Sequence, residues 1–221
     1  MQLVIFDFCE TLVNFQTADS FVDFIIKKEN YTKFRWVNIL DKILTKTRFL
    51  AVLNKFSPEL NPSKRLKLLQ IRGISEKKVN QYAIDFYNQL IMPNRIMPLY
   101  EKMQKHIESK DFVIIISGGF TPYLKVFSEK HNIQAFFGTE MEISNSKLTG
   151  QFSGKDCLHG QKIVLLEKYL KEHQINYTNS ISYSDSITDL PLLKWTDEAF
   201  VISKNKSQSW VKSYGFKEII H

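Results

Sequence analysis

Four short apolar runs, each broken off by a polar residue, limit what this chain can fold into. Leu3-Val4-Ile5-Phe6 stops at Asp7, and Phe112-Val113-Ile114-Ile115-Ile116 stops at Ser117-Gly118-Gly119. Ile181-Ser182-Tyr183-Ser184 runs into Asp185, and Ala199-Phe200-Val201-Ile202 is a fourth run. A run that is apolar at successive positions, rather than alternate ones, is a strand buried on both faces, as in a parallel sheet. Between the runs the spacing turns helical, over Pro98 to Lys110, Pro122 to Asn132, Gly160 to His173 and Leu190 to Lys194. Strands alternating with helices predict an α/β fold with a Rossmann-like, doubly wound parallel sheet.

Residues 14–97 interrupt that alternation. Ala18 to Glu29, Lys33 to Lys46, Ser63 to Ile71 and Ser75 to Leu90 all read as helices, the last N-capped by Ser75. The aromatics of this segment, Phe21, Phe24, Tyr31, Phe34, Trp36, Tyr82, Phe86 and Tyr87 among them, fall at the spacing of a bundle core. An all-helical insert after the first strand predicts a cap over the strand ends. The expected division is a core of residues 1–13 and 98–221 with a helical cap of 14–97. Charge divides the same way: 15 Lys and Arg face 7 Asp and Glu in residues 14–97, a net of +8, and the remainder carries −1. The whole basic excess sits in the expected cap, which suits an anionic partner.

The rest of the composition works by exclusion. With 221 residues, 43% hydrophobic and 24% charged, the chain is globular rather than disordered. Two cysteines exclude a disulfide scaffold and fit a reducing cytosol. The opening Met1-Gln2-Leu3-Val4-Ile5-Phe6-Asp7 has no basic n-region, and an acid cuts its apolar run short, unlike a signal peptide. Phe112 to Ile116 falls far below the ~20 residues of a membrane span. The expectation is a soluble cytoplasmic protein with no membrane partner. Neither a P-loop nor a glycine-rich dinucleotide loop is present.

In open α/β sheets the active site lies beyond the carboxyl ends of the strands. Four polar clusters fall at such positions: Asp7 with Thr11, Ser117 with Gly118, Lys162 at a helix start, and Asp185 with Asp189. Singly, each has a plainer meaning: a turn or N-cap aspartate, a turn serine, a solvated lysine, or two acids one helical turn apart. Their order along the chain and their shared placement at strand ends set them apart.

That order resembles the haloacid dehalogenase superfamily of phosphohydrolases, over essentially the whole chain. Leu3-Val4-Ile5-Phe6-Asp7-Phe8-Cys9-Glu10-Thr11-Leu12 is similar to its first motif and Ile115-Ile116-Ser117-Gly118-Gly119 to its second. Cys157-Leu158-His159-Gly160-Gln161-Lys162 resembles the third motif of the phosphoserine-phosphatase-like subgroup, and Tyr183-Ser184-Asp185-Ser186-Ile187-Thr188-Asp189-Leu190-Pro191 the fourth. That subgroup carries a helical cap between motifs one and two.

The resemblance implies a Mg²⁺-dependent phosphomonoesterase. Asp7 is the implied nucleophile, attacking phosphorus in line to give an aspartyl phosphate that water hydrolyses. Asp7, the Cys9 backbone carbonyl and Asp185 are the implied metal ligands, with Asp189 supporting the metal site through water or by orienting Lys162. Lys162, Ser117 and the Gly118 N–H are the implied phosphoryl-oxygen ligands, and Thr11 would orient Asp7.

One departure matters. The family's phosphatases usually carry an aspartate two residues after the nucleophile, to protonate the leaving group and activate water. Here that position is Cys9. A thiol donates a proton poorly, and a nearby cation would favour its thiolate. Glu10 is a possible stand-in, although neighbours on an extended segment point in opposite directions. A cap or substrate group could also take the role, or efficient hydrolysis could be lost.

The stretch Asp7 to Asp19 further resembles phosphatases encoded among surface-polysaccharide biosynthesis genes. It implies a sugar phosphate, or a phosphorylated amino alcohol linked to a nucleotide sugar, as substrate. The alternatives are a phosphotransferase of the same family, a catalytically weak phospho-ligand binding protein, and a nucleic-acid end phosphatase, the last without a recognised nucleic-acid module.

Overall fold

The computed structural model describes residues 1–30 and 61–221, and the expected helix over Lys33 to Lys46 lies outside them. The described strands, in chain order, are β1 (Leu3–Phe6), β2 (Phe112–Phe120), β3 (Ala135–Thr139), β4 (Met141–Ser144), β5 (Lys147–Phe152), β6 (Ser180–Ser184), β7 (Glu198–Ser203) and β8 (Lys217–Ile220). Six of them form one parallel sheet in the order β3-β2-β1-β6-β7-β8, while β4 and β5 make a separate antiparallel hairpin. β1 is central, with Leu3 beside Phe112 on one side and beside Ser180 on the other. From β1 the chain builds outward through β2 and β3 on one flank and through β6, β7 and β8 on the other. The switch point therefore lies between β2, β1 and β6, where a crevice opens at their carboxyl ends.

The unbroken apolar runs are explained by cover on both faces. Val4, Phe6, Val113 and Ile115 pack against Leu99 and Met103 of α4 (Met97–Glu108) and Leu124 and Phe127 of α5 (Thr121–Lys130). Leu3, Ile5, Ile114 and Ile116 face the other way, onto Leu166 and Leu170 of α6 (Gly160–Glu172) and Leu192 of α7 (Leu190–Trp195). A smaller group around Val201 and Val211 seats α8 (Ser209–Tyr214). This is the doubly wound sheet that the sequence predicts.

Between β1 and β2 the described residues hold α1 (Thr17–Glu29), α2 (Pro62–Leu69) and α3 (Glu76–Phe86), the last running on through a π turn at Tyr87–Ile91. Ser75 N-caps α3, its hydroxyl accepting from the Lys78 N–H at 3.4 Å. Phe21 of α1 and Phe86 of α3 meet Tyr123 of α5 edge-on or tilted, with centroids 5.1 and 5.3 Å apart. The inserted helices thus share an apolar core with α5. Tyr31, Phe34 and Trp36 fall outside the described residues. The two crossings between sheet and insert run side by side, Ile96 N–H donating to Leu12 C=O at 2.8 Å and Asn14 N–H to Asn94 C=O at 3.0 Å.

Candidate active site

β1 is wholly buried, and the chain leaves it at Asp7, whose N–H donates to the Tyr183 carbonyl of β6 at 2.9 Å. Beyond Asp7 the chain turns back: the Phe8 carbonyl accepts from both Leu12 N–H (2.9 Å) and Val13 N–H (3.2 Å), and Glu10 takes a left-handed φ of 53°. The segment is not extended. Cys9 and Glu10 consequently line the same cavity instead of pointing apart as the alternation of an extended strand would require. The turn also carries Thr11 towards β6. Its hydroxyl accepts from the Asp185 N–H at 3.1 Å and approaches Asp185 Oδ1 at 3.4 Å, so Thr11 orients Asp185 rather than Asp7.

Lys162 enters from the first turn of α6 and is 2% exposed. Its Nζ lies 2.7 Å from Asp7 Oδ1 and 2.6 Å from Asp189 Oδ2, and Ser184 Oγ donates to the same Asp189 oxygen at 2.7 Å. Burial opposes the lysine's charge, but Asp189 and Asp7 outweigh it and hold the ammonium above its ordinary pKa. The carboxylates are held less comfortably. Burial lifts Asp7 to about 6, against the pull of Lys162, and burial with the charges of Asp7, Glu10 and Asp189 lifts Asp185 to about 8. Asp185 makes no ion pair among the described residues.

At the end of β2, Ser117 is buried and accepts from the Gly119 N–H at 3.2 Å. The strand continues through the Ser-Gly-Gly turn to Phe120 with a register shift, instead of stopping at Ile116. Cys9 Sγ stands 3.9 Å from Ser117 Oγ and 2.9 Å from Thr17 Oγ1, and Thr17 in turn lies 2.7 Å from Tyr123 OH. Burial, with the Asp7 charge behind it, pushes the Cys9 thiol up to about 11.

These groups surround a cavity of about 370 Å³. Asp7, Cys9, Gly118, Lys162, Asp185 and Asp189 all line it, whereas Ser117 and Thr11 stand one layer behind. The insert contributes Gln16, Asp19, Asn61, Ser63 and Lys64 to the opposite wall. Lys64 is not a free surface charge, because its Nζ pairs with Asp156 Oδ1 at 2.6 Å. Its share of the basic excess is spent inside the protein. Sequence reasoning missed Lys64 and Asp156, and it missed Gln208, whose side-chain N–H donates to the Asp185 carbonyl at 3.2 Å. Gln208 lies in a segment with no apolar rhythm, so no sequence signal pointed to it.

No group of three or more His, Cys, Asp or Glu side chains among the described residues gathers as a metal cage. Of the two roles expected for Asp189, supporting a metal through water or orienting Lys162, its 2.6 Å contact with Lys162 fits the second. The donor set nevertheless suits Mg²⁺, which takes one or two carboxylates and completes its shell with water and phosphate. Asp7 and Asp185 are two hard oxygen donors whose mutual repulsion a divalent cation would relieve.

The burial of these carboxylates, with the acid charges around them, has a measurable consequence. The folded chain retains protons at Asp7 and Asp185 that an unfolded chain gives up near pH 4. In metal-free protein this part of stability is therefore present at low pH and lost as pH rises through about 6 and about 8. Mg²⁺ binding displaces those protons, so the Tm gain on adding Mg²⁺ is expected to be larger at pH 8 than at pH 5.5. Equal gains at both pH values would remove Asp7 and Asp185 as the ligands.

At the switch point of the doubly wound sheet a buried lysine lies between two aspartates, with a third aspartate alongside. Residues 4–194 match the family model described as haloacid dehalogenase-like hydrolase, and the chain belongs to that family. It is 27% identical over 196 residues to a phosphoserine phosphatase of Methanocaldococcus jannaschii, covering 87% of this chain and 81% of that one. It is 25% identical over 210 residues to a histidinol-phosphatase of Neisseria meningitidis serogroup C, covering 91% and 90%. A solved structure of a protein of unknown function from Bordetella pertussis Tohama I superposes with a TM-score of 0.82 at 17% identity, covering 99% and 97%. The last likeness concerns the fold alone. No described helix is long and apolar enough to cross a membrane.

Proposed function

We propose that this hydrolase is a Mg²⁺-dependent phosphatase that cleaves a small phosphomonoester through an aspartyl phosphate on Asp7. The observation that carries this reading is the placement of Asp7, Lys162, Asp185 and Gly118 around one cavity at the switch point, in a chain of this family. Asp7 and Asp185 would hold the cation. When bound, Mg²⁺ supplies positive charge against the phosphoryl oxygens.

The rest falls to the chain's own residues. Lys162 holds one oxygen of Asp7 in place and adds a positive charge where the phosphoryl group arrives. The other oxygen of Asp7 attacks phosphorus, the P–O bond to the leaving alkoxide breaks, and the alkoxide takes up one proton. Water then attacks the phosphoaspartate, releasing phosphate and restoring the carboxylate.

The Cys9 thiol is the group placed to give the leaving alkoxide its proton. The Phe120 N–H donates to Tyr123 OH at 2.8 Å; Tyr123 can donate to Thr17 and Thr17 to Cys9 Sγ, leaving the S–H proton for the cavity. A thiol raised to about 11 is a weak acid for the leaving-group step, although the thiolate that donation leaves is basic enough to take a proton from the attacking water. Cys9→Asp is therefore expected to raise kcat about tenfold or more on alkyl phosphates and to change p-nitrophenyl phosphate cleavage least. If Cys9→Ala turns over alkyl phosphates as fast as the wild type, the thiol is not the donor, and Glu10→Gln becomes the deciding variant.

The reading extends to the substrate class and the division of the chain. The cavity wall of Gln16, Asn61, Ser63, Ser186 and Thr188 offers amides and hydroxyls to a polar leaving group. It suits a sugar phosphate, or a phosphorylated amino alcohol linked to a nucleotide sugar, within surface-polysaccharide biosynthesis. Residues 14–97 form the cap and residues 1–13 with 98–221 the catalytic core, and the free Cys9 and Cys157 suit a cytoplasmic setting. The test is phosphate release from sugar phosphates, amino-alcohol phosphates and their nucleotide-sugar conjugates, with Mg²⁺ and with EDTA. Release that persists undiminished in EDTA, or no release from any monoester, contradicts it.

A further inference from the structure

Lys64 is the second buried lysine at this cavity, and it comes from the insert, near the start of α2. It is 7% exposed, and burial draws its pKa down while Asp156 opposes the shift. An ammonium has three N–H donors. Here they meet the Gly118 carbonyl, Thr139 Oγ1 at 2.7 Å and Asp156 Oδ1 at 2.6 Å. All three acceptors belong to the sheet side of the molecule, so Lys64 has no donor left for a substrate phosphate. The other Asp156 oxygen accepts from Asn61 Nδ2 at 2.9 Å, and Asn61 is also the N-cap of α2. The start of α2 thus grips Asp156 by both oxygens.

The Gly118 carbonyl shares its peptide with the Gly119 N–H, which donates to Ser117 Oγ. A cation on the carbonyl oxygen strengthens the N–H at the other end of the same peptide. With that bond made, the Ser117 hydroxyl keeps its own proton free to turn towards Cys9 Sγ, 3.9 Å away. The two glycines are closely packed. A Cβ at Gly118 would come within 2.4 Å of Leu158 Cδ2, and one at Gly119 within 2.5 Å of Tyr123 OH.

We propose that Lys64 is a positioning residue that couples the seating of the inserted helices to the phosphate-binding turn, acting through the Gly118–Gly119 peptide on Ser117. The coupling rests on the phosphatase reading for its purpose, although not for its geometry. Its consequence is that the site is complete only while α2 sits on Asp156. With α2 lifted, the Gly118 carbonyl loses its cation and Ser117 its fixed orientation.

A double-mutant cycle of Lys64→Met and Ser117→Ala tests the coupling, read by the Kd of inorganic phosphate on the Mg²⁺-loaded protein. Lys64→Met is expected to weaken phosphate about tenfold when Ser117 is present and less than about twofold in the Ser117→Ala background. An equal factor in both backgrounds overturns the proposal. Because an unpaired buried Asp156 can unfold the chain, the cycle is repeated with Lys64→Met combined with Asp156→Asn, which removes both charges together. That pair should keep the fold by circular dichroism and still bind phosphate about tenfold more weakly. Phosphate binding at the wild-type level would leave Lys64 a mere pin between α2 and the sheet. The two readings fail separately. Coupled phosphate binding without release from any monoester sinks the phosphatase and keeps the coupling, whereas turnover with an additive cycle does the reverse.

Discussion

Asp7→Asn is expected to lower kcat on the order of 10⁴–10⁶-fold while leaving the fold intact. The amide keeps the shape of the side chain but cannot attack phosphorus, and one of the two carboxylates proposed to hold Mg²⁺ loses its charge. Stability should hold, because Lys162 keeps its 2.6 Å contact with Asp189. Removing the Asp7 charge also removes one of the repulsions that lift Asp185 to about 8. Phosphate release by this variant within tenfold of the wild type would rule out Asp7 as the attacking group.

Lys162→Met is expected to strike both turnover and stability. Asp7 and Asp189 are 5% and 3% exposed, and the substitution strands both without their shared cation. Breaking a buried pair from one side costs about 3–5 kcal/mol, enough to be plain in urea or thermal unfolding. Adding Asp189→Asn removes one of the stranded charges and should recover much of that loss. It should not recover turnover, because the ammonium that orients Asp7 and adds charge beside the incoming phosphoryl group is still missing. A double variant that regains both would make Lys162 a purely structural residue.

How much of this was legible in the sequence depended on whether a feature is local. The strands that flank the site were readable because burial on both faces makes Leu3–Phe6 and Phe112–Ile116 apolar at successive positions. Asp7, Lys162, Asp185 and Asp189 stood out because each follows such a strand or opens a helix. β3, β8 and the β4–β5 hairpin escaped, since they are short, lie at an edge or in a half-exposed pair, and carry mixed polar and apolar positions. Glu10 was misjudged for a local reason too subtle to read: one residue at φ 53° turns an extended segment into a loop and puts consecutive side chains on the same cavity. Thr11 followed the same turn to Asp185. Lys64 counted in the sequence as part of the basic excess suited to an anionic partner, because its partner Asp156 lies 92 residues away. Gln208 supports Asp185 across 23 residues in the same silent fashion. Contacts made only by the tertiary fold leave no mark on the periodicity of either segment.

The central claim, that Asp7 carries the phosphoryl group, is tested most directly by trapping it there. Wild-type protein with Mg²⁺ and a monoester that it hydrolyses is quenched during turnover with borohydride, which reduces an aspartyl phosphate to homoserine, and then read by tandem mass spectrometry. The account predicts homoserine at position 7, dependent on both substrate and Mg²⁺, and none in Asp7→Asn. Turnover with no reduction at position 7, or a phosphoryl group found on Cys9 instead, would contradict it.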